Sequence, residues 1–257
     1  MTLSDAELER YARQIVLPQV GGVGQRKLKA AKVVVIGAGG IGSAVIPALA
    51  GAGVGQVTII DSDVVELANL QRQPLYGEGD LGGAKAELAA AFVKRVNSTV
   101  DVVGIPERIG PGNASIFLAG HDLVIDGSDN FATRLAVSDA AVRLGIPLVA
   151  AAAVQFQGQV GLFRSNPCYR CFVGDAFDAD DCDTCAELGV VGALTLTVGS
   201  FAALLAVNSI VGVGGDQAGR LNLFDGEQLS WRSIRIPPDA GCKACGSVAT
   251  GTSQALS

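Results

Sequence analysis

A chain of 257 residues that is 49% hydrophobic has the apolar material for one large α/β core. Its net charge of −6 and its aromatic content of 5% supply neither a phosphate-backbone footprint nor base-stacking platforms, so nucleic acid is not an expected partner. The charged N-terminus, Met1 to Arg10, has no apolar signal core, which points to the cytoplasm, where six cysteines suggest metal or redox chemistry before disulfides.

In chain order, Ser4-x-x-Glu7 is a capping box, and Leu8, Tyr11 and Ile15 follow it at helical spacing. Within this helix lies Arg10-Tyr-Ala-Arg13-Gln14, whose arginines read by default as solvated helix-face charges. Gly21, Gly22 and Gly24 are expected to break the chain before a central strand. That strand, Val33 to Ile36, is a continuous β-branched run, suited to a parallel strand covered on both faces. Gly37, Gly39 and Gly42 follow directly and fit G-x-G-x-x-G, with Gly40 a further cofactor-binding candidate inside the turn, where missing side chains let a phosphate reach backbone N–H groups at a helix start. The bland alternative is a tight turn with no ligand. Asp61 closes the next strand, Val57 to Ile60, at roughly the 20-residue separation of a ribose-binding acid.

Asp63 to Gln73 reads as a loop at the carboxyl edge of the sheet, where ligands of open α/β sheets bind, so Asn69 and Arg72 are phosphate candidates. A helix from Ala84 to Val96 follows, with Lys85 opposing the dipole in its first turn; an anion there would remove the conflict. Strand Val100 to Ile105, helix Asn113 to Ala119, strand His121 to Asp126 and helix Phe131 to Leu144 repeat the alternation, and Ile146 to Ala153 and Gln159 to Phe163 complete the apolar strands. Asp129 or Asn130 can cap the helix at Phe131, yet a carboxylate at a strand's carboxyl edge can equally hold magnesium.

Three Cys-x-x-Cys pairs follow: Cys168 and Cys171, Cys182 and Cys185, Cys242 and Cys245. Two such pairs make one tetrahedral zinc site. The middle pair sits in an acidic run that disfavours a preformed thiolate, so a reactive Cys185 needs activation from elsewhere. Leu188 to Gly215 carries no charge and is long enough to span a bilayer, but a single span would part the outer cysteine pairs, so a buried core helix over Ala193 to Val211 is preferred. Leu221 to Phe224 and Leu229 to Ile236, around Asp225-Gly226, read as a β-hairpin.

Arg-Tyr-Ala-Arg-Gln at 10–14, Gly-Ala-Gly-Gly-Ile-Gly at 37–42, Asn-Leu-Gln-Arg-Gln at 69–73, Lys85, Ser-Asp-Asn at 128–130 and the outer cysteine pairs, in this order, resemble the ThiF/MoeB family, bacterial relatives of ubiquitin-activating enzymes. Phe224-Asp-Gly and Trp231-Arg-Ser lean toward ThiF. The resemblance implies a Rossmann-like, mainly parallel sheet with helices on both faces, extended by C-terminal antiparallel strands and a zinc knuckle pair. It implies a single adenylation domain over 1–257: an N-terminal helix at 1–24, a nucleotide-binding core at 25–165, a cysteine-containing crossover loop at 166–192, core helix, hairpin and second knuckle at 193–246, and a tail at 247–257.

The implied activity is adenylation of the C-terminal Gly-Gly carboxylate of a ubiquitin-like sulfur carrier, using ATP and magnesium and releasing pyrophosphate. By the same resemblance Asp61 would bind the ribose, Asn69, Arg72, Gln73 and Lys85 the phosphate region, and Asp129 the magnesium. Arg13 would reach the triphosphate from the partner subunit of a homodimer. Cys168, Cys171, Cys242 and Cys245 would hold a structural zinc, and Cys185 would carry a covalent intermediate with the carrier. Cys182 is not expected in the family. With the chain closing soon after Cys245, sulfur is expected from a separate sulfurtransferase or cysteine desulfurase.

A terminal carboxylate is already ionised at neutral pH and needs no general base, so His121, the sole histidine, reads as structural. The competing readings are an NAD-dependent dehydrogenase with structural zinc, which leaves Arg13, Arg72, Lys85 and Asp129 unexplained, and a non-catalytic zinc or redox scaffold.

Overall fold

The computed structural model describes residues 2–174 and 188–246; Cys182 and Cys185 lie outside them. Three short helices, α1 (Asp5–Arg10), α2 (Ala12–Ile15) and α3 (Gly21–Ala30), lead into β1 (Lys32–Ile36). Then come α4 (Gly42–Ala52), β2 (Gln56–Ile60), α5 (Lys85–Val96), β3 (Asp101–Ile105), α6 (Ala114–Leu118), β4 (Leu123–Asp126), α7 (Phe131–Leu144) and β5 (Leu148–Val154). The chain continues through β6 (Gln157–Phe163), α8 (Tyr169–Val173), α9 (Gly192–Val211), β7 (Arg220–Asp225) and β8 (Ser230–Arg235).

The strands form one sheet in the order β3-β2-β1-β4-β5-β6-β7-β8. The first five are parallel, and β6, β7 and β8 are added antiparallel, as expected for a mainly parallel sheet with a C-terminal antiparallel extension. The β-branched run in β1 follows from its place in the middle. Val33 and Val35 enter the core beneath α4, α5 and α9, while Val34 and Ile36 enter the opposite core beneath α6 and α7, so neither face tolerates a polar residue.

One expectation fails. Gly21, Gly22 and Gly24 do not break the chain but begin α3. Three glycines oppose a helix by propensity, each by up to about 1 kcal/mol against alanine, and tertiary packing overrides that cost. A Cβ at Gly24 would stand 2.9 Å from Val211 Cγ1, so glycine is what lets α3 close on the end of α9.

Helix α9 is the charge-free segment, and its 20 residues are long and apolar enough to cross a membrane. It is a core element instead. Half of it is buried inside the protein, and at Gly199, where a Cβ would lie 2.6 Å from Ile41 O, it closes on the start of α4. The cysteine pairs that precede and follow it also meet in space.

Candidate functional site

Strands β1 and β4 are neighbours whose connections leave in opposite directions, toward β2 and toward β5, which makes their carboxyl ends the switch point of the sheet. There Gly37 adopts φ +89, and a Cβ on it would stand 3.1 Å from the Gly127 carbonyl carbon, so the two strand ends touch through backbone alone. A Cβ at Gly42 would fall 2.3 Å from Gly37 O, which fixes the tight entry into α4. The glycine turn therefore opens on a cleft of about 1790 Å³ lined by Gly37, Gly39, Gly40, Asp61, Asn69, Arg72, Gln73, Lys85 and Asp129, all of them singled out from sequence.

Asp61 ties this edge together. Its Oδ2 accepts from Ala38 N–H at 2.7 Å and its Oδ1 from Asp63 N–H at 2.8 Å, so one amide of the glycine turn is already committed to the protein. Burial pushes the Asp61 carboxyl up, against the pull of the two amides and Lys85. Lys85, 5% exposed at the first position of α5, reaches Asp63 Oδ2 at 3.1 Å. The conflict with the helix dipole is thus partly answered from within the chain. Tyr76, which sequence reasoning missed, lies buried below both: its hydroxyl stands 2.9 Å from Ala38 O and 3.1 Å from Lys85 O. Burial pushes this phenol far up, so it remains a neutral donor bracing the glycine turn against α5.

The loop carrying Asn69, Arg72 and Gln73 is held against the start of α9. A Cβ at Gly192 would meet Gln71 O at 2.2 Å, and Thr195, also missed, places Oγ1 3.5 Å from Arg72 O and its side chain against Gly40. Arg72 Nη1 donates to Ala68 O at 3.1 Å and is half-buried. Gln73 is 3% exposed, and its Oε1 has no partner, a buried acceptor beside the glycine turn.

Across the cleft the cap is Asn130, whose side chain accepts from Thr133 N–H at 2.9 Å. Asp129 is left with its carboxylate exposed in the cleft. Arg134, another residue missed from sequence, is buried behind it and donates to Ser128 O and to Ala151 O. A lone arginine in the apolar first turns of a helix was the available signal. Arg13 is not brought to the cleft; it lies exposed on α2. Beyond the switch point the cleft runs over the antiparallel strands, where Gln159, Leu223 and Arg232 form an in-register row across β6, β7 and β8.

The outer cysteine pairs form a second centre. Sγ of Cys168 is 4.0 Å from that of Cys171 and 3.6 Å from that of Cys242, Cys171 Sγ is 3.4 Å from Cys245 Sγ, and all four lie within 4.8 Å. Thiolates about 2.3 Å from a tetrahedral zinc stand about 3.8 Å apart, so the set fits such an ion. Burial pushes the Cys168 thiol far up and that of Cys245 up to about 11, while Cys242, though also desolvated, is drawn down by N–H donors from Cys245 and Ala244. A bound cation would replace those protons. His121 is structural, as expected: its ring bridges Thr58 Oγ1 at 2.9 Å and Leu118 O at 3.2 Å, and burial lowers its pKa.

A mainly parallel α/β sheet with a glycine turn, a switch-point cleft lined by acidic and basic groups and a four-cysteine cluster defines a class of nucleotide-binding protein. The ThiF family model matches residues 11–244, and the chain belongs to that family. Sulfur carrier protein adenylyltransferase of Thermus thermophilus is 44% identical over 96% of this chain and 93% of its own length. Adenylyltransferase and sulfurtransferase MOCS3 of Bos taurus is 43% identical over 97% of this chain, which spans only 56% of that longer protein. Among solved structures, E. coli MccB, at 23% identity, superposes with a TM-score of 0.82 over 95% of this chain and 75% of its own, and shows the shared fold.

Proposed function

We propose that this chain adenylates the C-terminal Gly-Gly carboxylate of a ubiquitin-like sulfur carrier, consuming ATP and releasing pyrophosphate. The observation that carries the reading is one continuous cleft: Arg72, Lys85 and Asp129 all line it at the switch point, and the same cleft runs on over β6, β7 and β8. The first part suits a triphosphate and the second an extended peptide tail. The Thermus relative, matched almost end to end, is named for this activity.

Asp61 borders the ribose position with lone pairs left on both oxygens, and Asn69, Gln73 and Arg72 line the phosphate path. Lys85, buried at the start of α5, is a compact cation lining the same cleft. Charge neutralisation around the transferred phosphoryl group is most of what such a reaction needs. Asp129, an exposed carboxylate on the cleft wall, would hold magnesium as a hard oxygen donor for a hard cation, and the ion would supply charge neutralisation there. Attack by an ionised carboxylate on the α-phosphate requires no proton acceptor, which agrees with a cleft that holds no histidine among its described lining residues.

The four thiols would hold a structural zinc. Arg13, exposed and outside the cleft of its own chain, would serve a second copy in a homodimer. Cys185 would form the covalent carrier intermediate, with sulfur supplied by a separate sulfurtransferase or cysteine desulfurase and the whole acting in the cytoplasm. The dehydrogenase alternative leaves the convergence of Arg72, Lys85 and Asp129 without a purpose.

ATP–pyrophosphate exchange in magnesium, measured with each Gly-Gly-ended ubiquitin-like protein of the same genome, tests the reading. Exchange should appear with one carrier and vanish when its last glycine is removed. Silence with every carrier, together with thermal stabilisation by NADH, would reject it.

A further inference from the structure

The two residues between the first pair of clustered cysteines both lie against helix α7 and its surroundings. Tyr169 and Arg170 stand between Cys168 and Cys171. Arg170 closes a two-pronged ion pair on Asp139, Nε to Oδ1 at 2.6 Å and Nη2 to Oδ2 at 2.9 Å, halfway along α7. Tyr169 is 4% exposed and packs edge-on against Phe163, with ring centroids 5.5 Å apart at 88°. Tyr169 and Arg134, the latter in the first turns of α7, line the same cleft and interact there.

Arg134 is the junction. It is 7% exposed, and it donates to Ser128 O and, at 2.9 Å, to Ala151 O, one residue past the last pairing of β4 with β5. Ser128 is fixed from its other side by Asp126, whose Oδ1 accepts from both its N–H at 2.9 Å and its hydroxyl at 2.7 Å. Asn130 is fixed by its capping bond to Thr133. Both neighbours of Asp129 are therefore locked, while its own carboxylate stays exposed in the cleft. A planar guanidinium with five donors in a rigid fork is suited to hold both carbonyls at once, which a lysine cannot reproduce.

We propose that Tyr169 and Arg134 are positioning residues that carry the placement of the tetrathiolate knuckle to the loop holding Asp129, so that the knuckle sets the geometry of the divalent cation site. The inference rests on the reading of Asp129 as a magnesium ligand and adds the connection between the two centres. Neither residue touches the reacting atoms. Tyr169 acts on Arg134, and Arg134 acts on the peptide that precedes Asp129.

The experiment uses the full chain and reads binding before turnover. Manganese binding in the presence of ATP is followed by its paramagnetic signal for the native chain, Tyr169→Phe, Arg134→Lys and Arg170→Ala, together with zinc content and melting temperature. Tyr169→Phe and Arg134→Lys should keep one zinc per chain and weaken divalent-cation binding roughly tenfold, the usual scale for loss of an outer-shell partner. Pyrophosphate exchange should then need correspondingly more magnesium, with the carrier KM unchanged. Arg170→Ala, which loosens the same helix away from Asp129, should lower the melting temperature and leave cation affinity alone.

The proposal is overturned if Tyr169→Phe lowers the melting temperature without moving cation affinity, or if Arg170→Ala moves it equally, since either result makes the contacts merely structural. A native chain that binds cation and ATP, with the expected shift in the variants, but shows no exchange with any carrier upholds the connection and removes the carrier reading. A native chain that binds no cation with ATP removes both.

Discussion

The two ends of the cleft are built differently. At the switch point nearly every group is held by backbone: Asp61 by two amides, Tyr76 between two carbonyls, Asp129 between two pinned neighbours. At the far end Arg232 stands on β8, an edge strand exposed along its whole length. Phosphoryl transfer rewards fixed charges that need no rearrangement, whereas a protein partner can be met by side chains that adjust. On the proposed reading, the difference teaches that a rigid end suits the chemistry and an adaptable end suits partner choice.

The sharpest way to break that comparison is to remove a charge from each end. Asp129→Ala should cut pyrophosphate exchange by about 10²–10³-fold, the scale of losing one preorganised electrostatic group, with zinc content unchanged. Lys85→Ala should fall in the same range. Arg232→Glu should instead raise the carrier KM roughly tenfold and leave the ATP KM untouched, as charge reversal in a recognition surface does. If Arg232→Glu lowered kcat as far as Asp129→Ala, the two ends would not be separate in function.

A smaller effect sharpens the rigid end. Lys85 is paired with Asp63, whose side chain is 66% exposed, so the partner is solvated while the lysine is not. On the proposed reading, a nucleotide would share or displace that partner. Asp63→Asn should therefore lower the ATP KM severalfold with kcat changed little, an outcome that steady-state kinetics at varied ATP would check. A rise in KM would instead make Asp63 part of the nucleotide site.

Most of this architecture was legible in sequence because burial writes itself into residue choice. The Val33 to Ile36 run, the glycine turn and the strand-closing Asp61 each state their environment locally, and so do the cysteine pairs. Gly24 misled because its reason is a helix nearly 190 residues later, at Val211, which no local rule can see. Tyr76 and Thr195 escaped for the same cause: their partners, Ala38, Lys85 and Arg72, come together only once the sheet has formed. Arg134 carried a visible signal in an otherwise apolar stretch, but its acceptors are backbone carbonyls, which leave no mark in a sequence.

The smallest expected effect concerns Tyr76, and it separates bracing from chemistry. Its hydroxyl has one proton and two carbonyl neighbours, on the glycine turn and on α5, and burial keeps the phenol neutral. Tyr76→Phe removes that donor and leaves buried carbonyls short of a partner, at a cost of about 1–2 kcal/mol. For a chain of this length the melting temperature should drop by roughly 2–8 °C. Because Asp61 still holds Ala38 through its amide, the turn should keep its place and kcat should stay within about threefold of the native value. Scanning calorimetry and exchange kinetics on one preparation would measure both. A hundredfold loss of kcat at an unchanged melting temperature would move Tyr76 from the scaffold into the reaction, and the rigid end would then owe its activity to more than fixed charge.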